Sequence, residues 1–273
     1  MSGLKDGSSE RVVWMSGFPW REDLLRPELV TTALALGYRN LAPSLSMLPQ
    51  ETAALTQLRR RADEAGIRIA VLDGVASWLP LSGTRYSSAV SFERVADVAA
   101  AFGAHAVSLL PVRVDLSTAQ LIDCFGRACD VLSGSGTVAQ IEFSPLGGIP
   151  DLATAWQILQ AADRPNGGLV LDTWHFFRGD PDLTLLSTIP GQRITSVQIS
   201  DAAAQPNTSL WQDTLHHRML PGVGDIPLQA IIEVLRRTNG LNWVGPEVLS
   251  ESLDSLPEDE RIRITVEAVE RIL

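Results

Sequence analysis

The chain has 273 residues, of which 45% are hydrophobic and 20% charged, and its formal net charge is −10. That length can bury a large core without staples, and the acidic balance counts against a nucleic-acid partner. No apolar run reaches the ~18 residues of a membrane span. The opening MSGLKDGSSE has no apolar h-region, so residues 1–10 read as a disordered leader and residues 11–273 as one domain of a soluble, cytoplasmic protein. Cys124 and Cys129 sit close together in FGRACD without partners spaced for zinc, and read as reduced thiols.

Short β-type runs alternate with longer amphipathic runs along the whole chain. Strands are expected at Arg11–Met15, Tyr38–Ala42, Arg68–Leu72, Ala104–Leu110, Thr137–Phe143, Gly168–Asp172, Ile194–Ile199 and Trp243–Val248. Several are almost wholly apolar, as in a parallel sheet buried on both faces. Helices are expected at Pro27–Leu36, Glu51–Ala65, Phe92–Phe102, Leu116–Leu132, Leu152–Ala162, Pro181–Thr188, Ile226–Thr238 and Glu258–Ile272. The phrase of helix, glycine and strand recurs in ALGYRNLA, EAGIRIAV, AFGAHAVS and TNGLNWVG, the form of an αβ connection. About eight βα units over this length predict a single (β/α)8 TIM barrel. A doubly wound sheet is the alternative, but no Gly-rich phosphate loop follows the first strand. The link from Ser200 to Asp225 is too long for a plain connection, and long links of this kind are usually functional.

In such a barrel the reactive groups project from the C-terminal ends of the strands. TVAQIEF carries Glu142, GLVLDTWH carries Asp172, ITSVQIS carries Gln198 with Asp201 after it, and NWVGPEV carries Glu247. Four consecutive strands thus each deliver an oxygen donor at one level. Each acid alone could cap a helix or pair with an arginine. Three buried carboxylates converging repel one another, and a divalent cation relieves that. Glu142, Asp172, Gln198 and Glu247 are therefore the expected ligands of one metal. An all-oxygen set favours Mg²⁺ or Mn²⁺, with Co²⁺ and Zn²⁺ as further options.

The segments IEFSP, LDTWH, VQISD and HRMLPGVGDI, with a glutamate on the last strand, resemble the xylose-isomerase-like sugar isomerase and epimerase superfamily. That group takes in D-tagatose 3-epimerase-type enzymes, hydroxypyruvate isomerase, inosose isomerases and dehydratases, and endonuclease IV. The likeness runs from about Thr137 to Leu249. It implies that Glu142 and Glu247 are ligands that double as acid and base, and that Asp172 is a ligand. It further implies that His175 and Arg218 contact the substrate. Gln198 stands where most members carry a metal-binding histidine, and the hydroxypyruvate isomerase branch has glutamine there. Strand two reads RNLAP, without the glutamate common in sugar-modifying members.

Trp14, Trp20, Trp78, Trp174 and Trp211 fall at or just past expected strand ends, where indole faces suit the C–H faces of a sugar or cyclitol. Of these, Trp14, Trp174 and Trp211 are taken as substrate-binding. Trp156 and Trp243 look structural, His105 reads as a core histidine, and His216 with His217 as a solvated pair. Asp201 either orients a ligand or Arg218 or is a turn acid, and Gly222 with Gly224 makes a phosphate subsite an option. The expected activity is isomerisation or epimerisation of a sugar, cyclitol or other small polyhydroxy carbonyl compound, through an enediolate that the metal stabilises. Dehydration of an inosose-like ketone uses the same groups. A non-catalytic binding subunit and an abasic-site endonuclease are the readings of other classes. A homo-oligomer is an option, and neither nucleic acid nor membrane is an expected partner.

Overall fold

The computed structural model describes residues 10–18, 23–82 and 90–273. Residues 1–9 of the expected leader, and Trp20, lie outside them. Among the described residues nine parallel strands follow in chain order: β1 (Val12–Trp14), β2 (Asn40–Ala42), β3 (Arg68–Ile69), β4 (Val71–Val75), β5 (Ala106–Leu109), β6 (Val138–Glu142), β7 (Gly167–Asp172), β8 (Ile194–Ile199) and β9 (Val244–Pro246).

The expected strand Arg68–Leu72 divides in two. β3 pairs with β2, and β4 pairs with β5. Ala70 joins the two sheets, donating to the Leu41 carbonyl at 2.9 Å and accepting from the His105 amide at 2.7 Å. One barrel strand thus changes partners at Ala70. At the other seam, Val244 pairs with Arg11 and donates to the Glu10 carbonyl at 2.8 Å. The ring is a closed (β/α)8 barrel.

The outer layer comprises α1 (Pro27–Ala35), α2 (Thr52–Ala65), α3 (Phe92–Phe102), α4 (Thr118–Ser133), α5 (Leu152–Ala162), α6 (Thr173–Arg178), α7 (Leu183–Thr188), α8 (Leu210–His216), α9 (Leu228–Thr238), α10 (Glu251–Asp254) and α11 (Glu258–Ile272). Local chemistry sets the ends. Ser117 and Gln120 form a reciprocal capping box at the start of α4, worth ~1 kcal/mol. Asn239, rather than the Gly240 suggested by the recurring phrase, takes the left-handed turn after α9. α9 buries Leu228, Ile231, Ile232 and Leu235, the spacing of one helical face. Each such side chain contributes roughly 1.5–3 kcal/mol.

Alternation along the strands divides the barrel interior into levels. Beneath the mouth Val12, Trp14, Ala42, Val71 and Ala106 form an apolar plug. Beside it His105 stacks on Trp243 at 4.3 Å, and burial pushes the imidazole down to about 4. The middle level is polar. Gln140 accepts from Thr195 at 2.7 Å and Ser196 at 2.9 Å, and donates to Ser108 at 2.9 Å. A register shift between Leu169 and Val170 opposite them lets consecutive residues of β8 reach the same amide. The third level, at the C-terminal mouth, carries the acids.

Closure at the β1–β9 seam leaves no room for a side chain on Gly245, where a Cβ would collide with the Val12 carbonyl oxygen. Gly134, at the end of α4, has right-handed helical backbone and open space at its Cβ. Gly245→Ala should therefore lower stability by about 2 kcal/mol or more in thermal denaturation. Gly134→Ala should be neutral or stabilising by about 0.4–1 kcal/mol. Equal melting temperatures for the two variants would contradict the closed seam.

Candidate metal and active site

Parallel pairing sets Asp172 opposite Gln198, and Gln198 opposite Gly245. Glu142 pairs with Val170, two residues before Asp172. A period of two then turns Glu142, Asp172, Gln198 and Glu247 to the same interior side. All are at most 6% exposed. His175 joins them from the first turn of α6, whose N-cap is Asp172 itself.

Arg218 bridges two of the acids. Its Nη1 donates to Asp172 Oδ2 at 2.7 Å and to Glu247 Oε2 at 3.0 Å. The other Glu247 oxygen accepts from Ser16 at 2.5 Å, and Asp172 Oδ1 accepts from the His175 amide at 2.9 Å. Asp172 thus both caps a helix and pairs with an arginine, and neither role removes it from the cluster. His175 Nε2 lies 3.8 Å from Glu142 Oε1 and 3.9 Å from Asp172 Oδ2. These gaps are too long for hydrogen bonds. They fall short of the ~4.2 Å that two metal–ligand bonds of about 2.1 Å would span end to end.

Gln198 is satisfied when its amide oxygen accepts from Trp14 Nε1 at 2.8 Å and its nitrogen donates to Glu142 Oε1 at 3.2 Å. In that orientation the oxygen faces the indole rather than the acids. Among the described residues, the donors gathered within 4.8 Å of one another are Glu142, Asp172 and His175. A histidine nitrogen thus stands beside the expected oxygens.

The electrostatics follow from burial. Burial pushes Glu142 well above the usual carboxylate range, and the fields of Asp73, Glu247 and Asp172 push further. Glu247 is also raised by burial, against the pull of Arg218. Burial opposes ionisation of Asp172 too, but Arg218 and His175 together hold it below its ordinary value. His175 is lowered by burial to about 4, so it is neutral near pH 7. One guanidinium cannot balance these buried carboxyl groups once they ionise, and a divalent cation fits that deficit and this donor set.

Comparison with known proteins agrees with the fold. The xylose isomerase-like TIM barrel family matches residues 30–272. The chain belongs to that family. Among its relatives, the inosose isomerase of Bacillus subtilis is 26% identical over 144 residues, 52% of this chain and 51% of that protein. The 3-dehydroshikimate dehydratase of Pseudomonas aeruginosa is 29% identical over 104 residues, 38% of this chain and 16% of that protein. The chain therefore spans about half of the isomerase and a smaller part of the dehydratase. A crystal structure of IolI protein with a bound zinc atom superposes with a TM-score of 0.83 at 18% identity, covering 96% of this chain and 97% of that one.

Within this xylose isomerase-like barrel the expected tryptophans separate. Trp211, 43% exposed, lines a cavity of about 830 Å³ above the acids. Trp14 and Trp174 are wholly buried and do not line it. Trp14 sits in the apolar plug and holds Gln198. Trp174 donates to Asp213 at 2.9 Å and lies beneath the Arg218 guanidinium. Their burial leaves neither ring a face open to a ligand in the cavity. Trp78 is buried as well, donating to the Leu110 carbonyl at 3.0 Å.

The long link resolves into α8 and an ordered loop. Asp213 ties α8 to α6 through Trp174 and Arg178, and Thr214 accepts from Arg218 at 3.0 Å. Asp201 accepts from the amides of Ala202, Gly222 and Ile226. It is a loop-organising acid, and it occupies the Gly222 amide that a phosphate would need. His216 lies 3.1 Å from Glu251, away from the acid cluster, and both cysteines are buried free thiols.

Asp73 went unremarked in the sequence, although IAVLD ends on an acid as LVLD does. It is 4% exposed, lines the cavity from the middle of β4, and burial raises it to about 7. Ser16 carried no signal, since a serine after a strand is ordinary.

The raised glutamates mean that their neutral forms stabilise the fold at low pH, and that contribution fades as pH climbs above their ordinary 4.5. His175 acts oppositely: its contribution is present above 6.5 and is lost as pH falls toward about 4. A divalent ion should relieve the carboxylate cost. The rise in melting temperature on adding Mn²⁺ to chelator-treated protein should be larger at pH 8 than at pH 5.5. An equal or absent rise would contradict a metal among these acids.

Proposed function

We propose that the chain is a divalent-metal-dependent isomerase or epimerase that moves a proton at a carbon beside the carbonyl of a small polyhydroxy compound. The observation that carries this reading is the placement of two buried glutamates, Glu142 and Glu247, around His175, Asp172 and Arg218 at one cavity floor. The family's relatives include an inosose isomerase, which supports the substrate class.

Glu142 and Glu247 stand on strands separated by two others and would face opposite sides of a substrate. A carboxyl group raised toward neutrality serves both as acid and as base. Glu142 lacks a bond to Arg218 and would take the proton. Glu247, held by Ser16 and Arg218, has a fixed orientation from which to return one. Neutral His175 can donate to a substrate oxygen. The cavity of about 830 Å³ lies within the usual range for small-molecule sites, and α8 with Trp211 covers part of it. Glu142, Asp172 and Glu247 would hold the ion, with His175 or with Gln198 once its amide turns the oxygen from Trp14 to the acids. When bound, a divalent ion polarises the carbonyl and the adjacent hydroxyl, and so acidifies the C–H between them. Mn²⁺ and Mg²⁺ suit the carboxylates, while His175 brings Zn²⁺ and Co²⁺ within range.

Dehydration is the second reading, favoured by the 3-dehydroshikimate dehydratase among the relatives. The first proton abstraction is the same, and expulsion of a β-hydroxyl replaces return of the proton.

Proton NMR in D₂O with Mg²⁺, over ketoses, inososes and 3-dehydroshikimate, tests both. Deuterium should enter beside the carbonyl, and a chelator should stop it. Glu142→Gln should slow exchange by at least about 100-fold with the fold intact. Exchange near the wild-type rate in that variant would overturn the assignment.

A further inference from the structure

The polar middle level of the barrel ends on a group that the proposed chemistry does not use. Thr195 and Ser196 both donate to the Gln140 oxygen, which fixes which way the amide points. Its nitrogen must then donate to Ser108 Oγ, at 2.9 Å. With that lone pair filled, the Ser108 hydroxyl keeps its own proton, and it stands near enough to Asp73 to favour the ionised carboxylate. The chain of donors has one direction, from β8 through β6 to β5.

Asp73 Oδ1 is buried and has no hydrogen-bond partner among the described residues. A buried carboxylate oxygen left without a partner is costly. Asp73 also forms part of the cavity wall, beside apolar Leu110, Pro111 and Val112. It stands outside the group of donors gathered within 4.8 Å, which is Glu142, Asp172 and His175.

We propose that Asp73 is a substrate-hydroxyl subsite: it accepts a hydrogen bond from a hydroxyl of a polyhydroxy ligand that lies away from the metal-binding end, with Ser108 and Gln140 as its positioning residues. The assignment deepens the proposed function and rests on it for the ligand class. A hydroxyl suits the subsite better than a second cation, because among the described residues no histidine or further acid completes a ligand set around Asp73 within the gathered donors. The subsite therefore selects for hydroxylated rings or chains over bare α-hydroxyketones.

Titration calorimetry on the Mn²⁺-loaded protein separates these roles, with an inosose and 2-hydroxycyclohexanone as probes. The second probe keeps the carbonyl and adjacent hydroxyl but has no further hydroxyl to offer. In Asp73→Asn a nitrogen donor replaces one of the two acceptor oxygens and the negative charge is lost. The inosose Kd should rise about 10- to 100-fold, while those of 2-hydroxycyclohexanone and Mn²⁺ stay within about twofold. Ser108→Ala should weaken inosose in the same selective way, by a smaller factor. Loss of Mn²⁺ affinity would make Asp73 a metal ligand and overturn the subsite, as would equal weakening of both probes or an unchanged inosose Kd. Wild-type protein that binds inosose but exchanges no proton in D₂O would refute the isomerase reading and leave the subsite standing on its binding data. No inosose binding to the wild type would overturn both.

Discussion

Four carboxyl groups, those of Asp73, Glu142, Asp172 and Glu247, are buried at one end of this barrel with Arg218 as the cation at their centre. Charges taken out of water repel strongly unless they are protonated, paired or bound to a cation. The surrounding architecture is organised around that cost. Arg218 bonds to two of the acids and is itself held by Thr214 and stacked over Trp174. Ser16 takes one oxygen of Glu247, the start of α6 takes one of Asp172, and Gln198 reaches Glu142. The remaining imbalance is the chemical opportunity, since a divalent ion there gains affinity from the same repulsion that destabilises the site without it.

The rest of the chain keeps these groups in place. The apolar plug closes the barrel below, and the Gln140 network above it gives the interior a rigid polar level. The link between β8 and β9 delivers Arg218 from the side. Asp201 folds its loop, and Asp213 fastens α8 to α6. A cavity remains above the floor, polar beneath and largely apolar along its wall. That contrast suits a ligand bound through oxygens at one end and through C–H faces along its length.

Much of this was readable in the sequence because strands of a parallel barrel are short, apolar and followed by helices with clear ends. The acids at the ends of LVLD and QIEF stand out because an apolar strand has no other reason to carry them. Asp73 ends IAVLD in the same manner, yet it escaped notice because the third strand changes partners at Ala70, and its true end lies beyond Leu72. Trp14 and Trp174 show the opposite limit. Sequence spacing places a side chain at a height on the barrel, but whether it stands in the cavity or beneath its floor depends on packing around it. Similarly, the extent of Gln198's role turns on Trp14, which approaches from β1 and shares no local pattern with β8.

The central claim is that one divalent ion sits among Glu142, Asp172 and their neighbours, and crystals soaked in Mn²⁺ would test it most directly by anomalous diffraction. The account predicts one strong peak, within about 2.4 Å of carboxylate oxygens of both Glu142 and Asp172. His175 or Gln198 would lie close enough to complete the set. A floor without a peak at saturating Mn²⁺, with Arg218 still bridging Asp172 and Glu247, would contradict it and leave the arginine as the cation these acids were built around.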